Sequence, residues 1–521
     1  MADYHANSVA LPKFPMSAHD LSHVLKTCGR IGDMNCHFVE ECIPSDIAHI
    51  KTDLFVRLDP LTFPIMHKIK VRQNFFFVPT RLILGDDLNE EFFSCKDMNA
   101  KLPKFVFDGN LLDSGVNFLG KNTLFDQMEC QPVVTPDPTY GTYTVRNPVP
   151  FLSLQRIWCD YYADEILDAA EIAASEYDID SYQAAGLDGV VQDPVHAMDF
   201  HRVSWSKDRF TSAQPDAQRV GEVYLMNPLV VEPTSGSMPT NSGNLVYGGS
   251  NTVLPGAVYD QSGTQLMRSS LTIDELWDEM VVQRFLNSMN EFGNERYVEI
   301  LAGQFGVISA DARLQRAQWI GGNEMVVNIS EVLQTSESTA GNPLGSFAGK
   351  GIVAGRGRDI VFKVPEHGYI IGILTFVPEN GYASGSARWL YKQRPLDFAF
   401  PRFNNLGESA VINGELFSDH KADADTKDFG EFGYQPQFDE YRTHPSRSTG
   451  DFRDSALLAW HLDRKFTSVP PLNYNFIHID PTECNRIFND TDPDAYHMKV
   501  LSYHKEMFVR PISRHPVPGK L

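Results

Sequence analysis

The stretch Lys68-Ile69-Lys70-Val71-Arg72-Gln73-Asn74-Phe75-Phe76-Phe77-Val78-Pro79 decides the fold of this chain. From Lys68 to Arg72, basic and apolar side chains alternate strictly, and a period of two is typical of a half-buried β-strand. The apolar run from Phe75 to Val78 predicts a strand covered on both faces. Pro79 ends that strand because proline has no N–H to donate to a neighbour. The stretch therefore predicts one strand of a packed β-sheet.

Other segments show similar strand patterning. Within Asp53–Leu58, the residues Leu54, Val56 and Leu58 share one face. Further strand-like pieces are Met325–Ile329, Ile360–Val364 and Tyr369–Val377. The 32 prolines and 37 glycines are spread over the 521 residues, which favours many short elements joined by turns, as in β-sandwiches and barrels.

Helices are predicted at a few places only. Residues 1–50 are predicted to form an extended N-terminal arm with a short helix near Ala18–Lys26. Residues 150–177 are predicted to be helical. Thr272 and Glu275 form a capping box, which predicts a further helix ending near Gly293.

Composition limits the class of protein. Hydrophobic residues are 42% and charged residues 21% of the chain, as in globular proteins. The net charge is −22, whereas a protein that grips nucleic acid alone is usually basic. If this chain surrounds nucleic acid, its basic groups must be local, or a cationic partner must neutralise the phosphates. The seven scattered cysteines argue against a disulfide framework and favour a reducing compartment.

Membrane and secretion signals are weak. The segment Met1–Met16 has no apolar core, so no signal peptide is predicted. The most apolar stretch, Ile370–Val377, is far too short to span a bilayer. We therefore predict no membrane insertion.

No catalytic or cofactor motif stands out. The chain has no Gly-x-Ser-x-Gly nucleophile elbow and no P-loop. Its carboxylates are plentiful, but no pair is singled out for acid–base chemistry. We predict no catalytic residues, no cofactor and no metal site. The competing hypothesis is a β-sandwich carbohydrate-binding or glycoside-acting protein.

An acidic stretch leaves one alternative open. Between Trp158 and Phe200 there are eleven acidic residues and no Lys or Arg. A solvated acidic surface explains this composition. A divalent-cation site around Asp178 and Asp180 is the alternative, although no EF-hand spacing supports it.

The C-terminal segment, residues 495–521, is basic in an otherwise acidic chain. Its candidate residues for contact with nucleic acid are Lys499, Tyr503, Lys505, Phe508, Arg510, Arg514 and Lys520. Basic groups follow phosphates, and aromatic faces stack on bases for about 1–3 kcal/mol each. The alternative is a tail whose charges pair with carboxylates of a neighbouring subunit. The mixed basic and aromatic stretch 438–453 is interpreted as structural.

Residues 232–270 are rich in Gly, Ser, Thr and Asn. A stretch this long without periodicity is unusual inside a compact domain. It predicts a surface protrusion.

A collinear series of short stretches runs from about residue 50 to residue 512. Its members are Phe75–Leu82, Trp205–Ala213, Arg296–Glu299, Phe305–Val307, Asp311–Arg316, Gly321-Gly322, Gln334–Ser336, His367–Gly372, Phe432–Pro436, Glu440–Arg442, Gly450–Arg453, Trp460-His461 and Arg510–Ile512. Together they resemble the major capsid protein (F protein) of the Microviridae, in its gokushovirus branch. That family usually has Tyr at the place of Arg209 and Glu at the place of Pro436. Residues 101–200 and 232–270 match it poorly.

The resemblance implies an all-β core, an eight-stranded antiparallel jelly roll of the viral coat type with large loop and helical insertions. Residues 51–521 are then a single capsid domain. The implied function is structural and not enzymatic. Copies of the chain assemble through pentamers into a small icosahedral shell around a circular single-stranded DNA genome.

The resemblance also implies partners and a location. A small basic DNA-binding virion protein accompanies the genome, which would explain how an acidic coat tolerates a polyanion. The protrusion at 232–270 contacts a host surface receptor. The protein is expected in the virion, after assembly in the host cytoplasm.

Overall fold

The structure is a computed structural model. It describes residues 15–94, 97–108, 117–133, 142–216, 308–333, 347–403, 407–418, 420, 425–490, 492 and 494–514, with a few isolated residues between 240 and 305.

The described strands are distributed along the whole chain. They are β1 (Ser17–Asp20), β2 (His23–Gly29), β3 (Asn35–Cys42), β4 (Ile47–Leu58), β5 (Ile69–Pro79), β6 (Lys104–Asp108), β7 (Thr142–Val145), β8 (Val190–Gln192), β9 (Thr240–Asn241), β10 (Asn244–Leu245), β11 (Val258–Tyr259), β12 (Gln265–Leu266), β13 (Gln318–Val326), β14 (Asn328–Leu333), β15 (Phe347–Arg356), β16 (Ile360–Lys363), β17 (Gly368–Pro378), β18 (Glu408–Ile412), β19 (Glu431–Pro436) and β20 (Met498–Arg510).

The described helices are fewer and mostly short. The α-helices are α1 (Thr80–Phe93), α2 (Leu124–Gln127), α3 (Val149–Tyr161), α4 (Ala169–Ala185), α5 (Val195–Met198), α6 (Asp425–Asp428), α7 (Tyr474–Ile477) and α8 (Pro481–Cys484). The 3₁₀ turns are Asp311–Leu314, Arg388–Tyr391, Pro395–Asp397, Pro401–Phe403, Asn413–Glu415, Asp439–Tyr441, Gly450–Arg453, Ser455–Trp460 and Asn485–Ile487.

Two antiparallel sheets organise the molecule. The larger sheet has the order β1–β20–β4–β15–β14, with β2 also paired to β20 and β16 also paired to β4. The smaller sheet has the order β13–β5–β17–β3. Along the chain, β2, β3, β4 and β5 alternate between the two sheets, so that neighbours in space come from distant segments. This wiring agrees with a jelly roll, in which two Greek keys form two packed sheets.

The predicted all-β antiparallel core is therefore confirmed. The predicted count of eight strands is not, because the larger sheet has seven described strands and the smaller has four. The predicted strands around Leu54–Leu58, Lys68–Val78, Ile360–Val364 and Tyr369–Val377 are present as β4, β5, β16 and β17. The predicted piece Met325–Ile329 spans the end of β13 and the start of β14.

The space between the sheets is filled from both sides. Phe38, Phe75 and Phe77 of the smaller sheet share one buried cluster with Ile50 and Phe508 of the larger sheet. Burying a large apolar side chain contributes about 1.5–3 kcal/mol, so this interface is a main source of stability.

The second face of the smaller sheet is covered by helices. Helix α3 packs on β5 and β17, and α1 and α4 pack beside it. Phe76 points to this side, with its ring centroid 4.8 Å from that of Tyr161. The expectation that Phe75–Val78 is covered on both faces is confirmed.

The predicted helix near Ala18–Lys26 is wrong. This segment forms β1 and β2, whose backbones pair antiparallel with β20 from His19 opposite Phe508 to Lys26 opposite Leu501. Pairing with β20 satisfies backbone groups that a short isolated helix would leave to water. The expected boundary at residue 50 falls inside β4.

The predicted helix 150–177 is two helices, α3 and α4. Asp164 Oδ1 accepts hydrogen bonds from the backbone N–H groups of Ile166 and Leu167 at 3.2 and 3.3 Å. Asp168 Oδ2 accepts from Asp164 N at 2.7 Å. Asp side chains that bind nearby N–H groups compete with helical hydrogen bonds, which ends the helix here. The helix expected up to Gly293 lies outside the described residues, apart from isolated positions.

Candidate nucleic-acid interface

Within the basic C-terminal segment, residues Met498–Arg510 form a central strand of the larger sheet and not a free tail. Strand β20 lies between β4 on one side and β1 and β2 on the other. Its residues from Met498 to Phe508 alternate strictly between buried and exposed. The sequence does not show this period of two as an alternation of polarity, because the polar residues Ser502, His504 and Glu506 occupy inward positions.

The outward positions of β20 carry the basic residues. Lys499, Leu501, Tyr503 and Lys505 are exposed. This side of the sheet has no layer of described residues on it comparable to the helices on the smaller sheet.

Strand β4 adds a second row to this surface. In the register of the two strands, Lys499 lies opposite Arg57, Leu501 opposite Phe55, Tyr503 opposite Asp53, and Lys505 opposite Lys51. We call this surface the outer sheet face, because it is the side of the larger sheet that points away from the smaller sheet. Its residues are Lys51, Asp53, Phe55, Arg57, Ala354, Arg356, Lys499, Leu501, Tyr503 and Lys505.

A shallow depression lies in the middle of the outer sheet face. It has a volume of about 600 Å³ and is lined by Asp53, Leu54, Phe55, Ala354, Gly355, Arg356, Leu501 and Tyr503. Phe55 is 41% exposed and Tyr503 is 44% exposed, so both rings present a face to solvent. Aromatic faces of this kind can stack on bases of any sequence.

Cations lie at both ends of the depression. Lys51 Nζ is 3.1 Å from Asp359 Oδ1, and Lys499 Nζ is 3.3 Å from Asp59 Oδ2. These pairs are solvent-exposed, and exposed ion pairs contribute little stability, so the lysines are available to a stronger anion. Arg57 and Lys505 form no ion pair with another described residue.

Sequence reasoning identified only part of this surface. It found Lys499, Tyr503 and Lys505, but it missed the cations and the aromatic ring on β4 and β15. Those strands are about 150 residues or more from β20 in the chain, and only the sheet brings them together. The available signal was the alternation in Phe55-Val56-Arg57, which places a ring and a cation on one face.

Three of the predicted residues that the structure describes lie outside the outer sheet face. Phe508 is fully buried between the sheets, so it offers no face for stacking. Arg510 Nε lies 3.0 Å from Asp46 Oδ2, and its Nη2 lies 2.9 Å from Glu40 Oε1. Arg510 therefore ties the end of β20 to the strand β3 and the turn that follows it. Arg514 is exposed beyond β20, and Lys520 lies outside the described residues.

Substitution of Arg510 should therefore reduce the stability of the fold, whatever its effect on DNA binding. We expect Arg510→Gln to lower the free energy of unfolding by about 2–3 kcal/mol, because it leaves the buried Asp46 without its cation. Thermal unfolding of purified particles measures the loss. Arg514→Gln, at an exposed position, is the matched control and should leave stability unchanged. Equal effects of both changes would contradict the structural role.

The inward side of β20 contains a buried polar cluster. His504 Nδ1 lies 2.9 Å from Thr52 Oγ1, and the His504 and His37 ring centroids are 5.6 Å apart. Glu506 is buried, with His23 Nδ1 3.3 Å from its Oε1. Burial lowers the pKa of His37 to about 4 and that of His504 to about 2, and burial raises the pKa of Glu506 to about 8. At neutral pH, the two buried histidines and the glutamic acid are therefore uncharged.

A larger cleft lies on the other side of the molecule. It has a volume of about 750 Å³, and its lining includes Tyr161 and Trp319. Its two carboxylates are already paired, since Asp164 lies 3.1 Å from Lys207 Nζ and Asp311 lies 3.6 Å from Arg316 Nε. This cleft does not present a free pair of carboxylates for glycoside chemistry.

The described residues hold neither a cluster of metal ligands nor a membrane-spanning helix. Within the described ranges, no group of three or more His, Cys, Asp or Glu side chains is arranged to hold a metal ion. Asp178 is buried, and its Oδ2 accepts a hydrogen bond from Ala197 N at 2.9 Å, which gives it a structural role. Among all the residues that the structure describes, no helix has the length and apolar character needed to cross a membrane.

The family model and the relatives that match this chain are all capsid proteins. Residues 9–519 match the family model described as capsid protein (F protein). The chain is 28% identical to capsid protein VP1 of Bdellovibrio phage phiMH2K, with 94% of this chain and 92% of the relative covered. It is 26% identical to capsid protein VP1 of Chlamydia phage 1, with 96% and 95% covered. It is also 26% identical to capsid protein VP1 of Spiroplasma virus 4, with 90% and 89% covered.

Proposed function

Because the chain belongs to the capsid protein (F protein) family of the Microviridae, and is thus a structural protein of the virion that self-assembles into a capsid, we propose that its outer sheet face binds the packaged single-stranded DNA genome. The chain is a major capsid protein and not an enzyme.

One observation carries the DNA proposal. Two half-exposed aromatic rings, Phe55 and Tyr503, lie between cations at both ends of adjacent strands. Lys499 and Lys505 are six residues apart on one strand, which is roughly 20 Å at about 3.4 Å per residue. A single strand of DNA that crosses the depression can stack bases on the rings while its phosphates meet the cations at either end.

The same arrangement explains how a chain with a net charge of −22 could bind DNA locally. The cations of the outer sheet face form a local basic surface, while the eleven acidic residues between Trp158 and Phe200 lie in a different part of the sequence. The proposal includes a small basic DNA-binding virion protein, which would neutralise phosphates that this surface does not reach.

The test removes the cations and leaves the sheet intact. In a triple variant with Arg57→Gln, Lys499→Gln and Lys505→Gln, we expect shells to form but to release their DNA at lower temperature and lower salt. For single-stranded DNA, each phosphate contact contributes about 0.7 to the steepness with which the logarithm of the binding constant falls with the logarithm of salt concentration. The loss of three contacts should therefore reduce this slope by about 2. DNA release is measured on heating at several salt concentrations.

The control replaces three other exposed cations, with Lys101→Gln, Lys104→Gln and Lys121→Gln. This variant carries the same change in net charge and should retain DNA like the wild type. If the test variant also retains DNA normally, the outer sheet face does not bind it. If its shells disassemble equally readily when empty and when full, the surface is an assembly element instead.

The remaining proposals rest on the family resemblance. The shell is proposed to be icosahedral and built through pentamers around a circular genome. Residues 232–270, of which only four two-residue strands are described, are proposed to contact a host surface receptor. Assembly is proposed to take place in the host cytoplasm. The free state of the cysteines in the described residues is in keeping with a reducing compartment.

A further inference from the structure

A second surface of the chain is apolar and uncovered. Six large apolar residues within 389–403 are each between 36% and 66% exposed. They are Trp389, Leu390, Leu396, Phe398, Phe400 and Phe403, and Tyr441 lies beside them at 58% exposed. We call these seven residues the apolar patch. Soluble monomers rarely expose a contiguous apolar surface of this kind, and such surfaces usually mark interaction sites.

The apolar patch is held in a defined conformation. Its backbone forms three 3₁₀ turns, at Arg388–Tyr391, Pro395–Asp397 and Pro401–Phe403. Asp397 Oδ2 accepts hydrogen bonds from the backbone N–H groups of Gln393 and Arg394 at 2.9 and 2.7 Å. A surface ordered before binding loses less conformational entropy when a partner docks.

The patch is also anchored to the body of the protein. Lys392 Nζ lies 2.6 Å from Glu440 Oε1 and 4.1 Å from the centroid of the Tyr441 ring. Arg388 Nη1 lies 3.3 Å from Glu415 Oε1. These contacts use two cations of the segment internally, so they are not free to bind phosphates. The patch is therefore a poor candidate for DNA.

We propose that the apolar patch is an assembly contact that packs against a second copy of this chain in the shell. A surface of this kind left uncovered on every subunit would promote association between finished particles, which favours its burial between subunits of the shell. Aromatic residues and arginine are enriched at the centres of protein interfaces. Arg388 and Lys392 are paired within the subunit. The segment 388–403 still carries Arg394 and Arg402 against the single acid Asp397, and this remaining positive charge favours a second copy of a chain whose net charge is −22.

The experiment introduces a charge where the side chain touches little of its own subunit. Leu390 and Leu396 are 66% and 61% exposed, so Leu390→Asp and Leu396→Asp should leave the subunit folded. Coexpression with the other virion proteins, followed by sedimentation and electron microscopy, should show a loss of shells by at least about tenfold, as expected for a buried interface centre. Folded, smaller species should accumulate. Met98→Asp, at an isolated residue that is 82% exposed, is the control and should assemble normally.

A second measurement covers the case in which the aspartate variants do not fold. In a Leu396→Cys variant, the introduced thiol should react with a maleimide much more slowly in intact shells than in dissociated subunits. Normal shell yield in both aspartate variants would overturn the proposal, as would equal labelling before and after dissociation. Normal shells that no longer attach to the host would also overturn it and would assign the patch to the receptor. Loss of shells in the Met98→Asp control would overturn the specificity of the effect.

Discussion

Arg209→Met is expected to lower the free energy of unfolding by about 3–5 kcal/mol, because it leaves buried carboxylates without their cation. The side chain of Arg209 is 1% exposed. Its Nε lies 3.0 Å from Glu415 Oε2, and its Nη1 lies 3.0 Å from Asp439 Oδ2. These contacts connect the segment after α5 with two turns in the region between β17 and β20.

The environment of the pair explains the size of the effect. When Arg209 is removed, the ion pair that Glu415 keeps among the described residues is with the partly exposed Arg388, at 3.3 Å. Asp439 retains the hydroxyl of Thr443, whose Oγ1 donates to Asp439 Oδ2 at 2.8 Å. A neutral hydroxyl does not compensate a buried negative charge as a guanidinium does.

Thermal and denaturant unfolding of purified particles measure this prediction. Arg388→Met is the matched control, since it removes the other cation of Glu415 from a position that is 23% exposed, and it should cost much less. Adding Glu415→Gln to Arg209→Met should restore part of the stability, because the charge left unpaired is then gone. A loss below about 1 kcal/mol for Arg209→Met would contradict a buried ion-pair network.

The second large effect concerns pH. We expect stability to be highest near pH 6.5 and to fall on both sides, because the cluster on the inward side of β20 contains groups with opposite linkage. The pKa of Glu506 is raised to about 8 by burial, with a further contribution from Glu40. Between pH 4.5 and 8 the folded state therefore holds a proton that the unfolded state has lost, and stability falls as pH rises.

The histidines act in the other direction. Burial lowers the pKa of His37 to about 4 and that of His504 to about 2. Below pH 6.5 the unfolded state binds protons that the folded state does not, so stability falls as pH falls. Two histidines oppose one glutamic acid between pH 4.5 and 6.5, and only Glu506 titrates between 6.5 and 8. The maximum therefore lies near 6.5.

Substitution of Glu506 separates the two effects. Glu506→Gln should remove the alkaline decrease and raise the free energy of unfolding at pH 8 by on the order of 3 kcal/mol, while the acid decrease remains. Unfolding midpoints measured from pH 4 to 9 provide the test. Glu90→Gln, on an exposed face of α1, is the control and should keep the wild-type profile. An unchanged alkaline decrease in Glu506→Gln would show that another group causes it. The charged neighbours to consider are Glu40, Arg510, Glu129 and Asp20.

The class of fold was accessible from local patterns, but the conformation of one segment was not. The alternation in Lys68–Arg72 and the apolar run Phe75–Val78 predicted β5, because the side-chain period of a strand is a property of a few consecutive residues. The segment Ala18–Lys26 was interpreted as a helix. Its actual conformation depends on pairing with β20, whose partner residues lie 475 to 491 positions further along the chain, from Lys26 opposite Leu501 to Ala18 opposite Val509.

For the candidate site too, the sequence predicted some features, and others could be found only in the structure. The sequence identified the basic character of residues 495–521 and named Lys499, Tyr503 and Lys505 as candidates for contact with nucleic acid; the structure places these three on the exposed side of β20. It could not separate these from Phe508 and Arg510, because polar residues at 502, 504 and 506 obscured which positions face inward. Polar residues can occupy inward positions when burial keeps them neutral, as it does for His504 and Glu506.

The sequence by itself determined the β class, the local excess of basic residues and the resemblance to a capsid family, since each depends on composition, short-range period or the order of motifs. Only the tertiary structure decided which rings and cations share the outer sheet face, which carboxylates hold Arg209 and Arg510, and which apolar residues remain uncovered. The physical reason is that a sheet of this wiring joins strands from opposite ends of the chain. The environment of each side chain is then set by register and packing between segments that no local pattern connects.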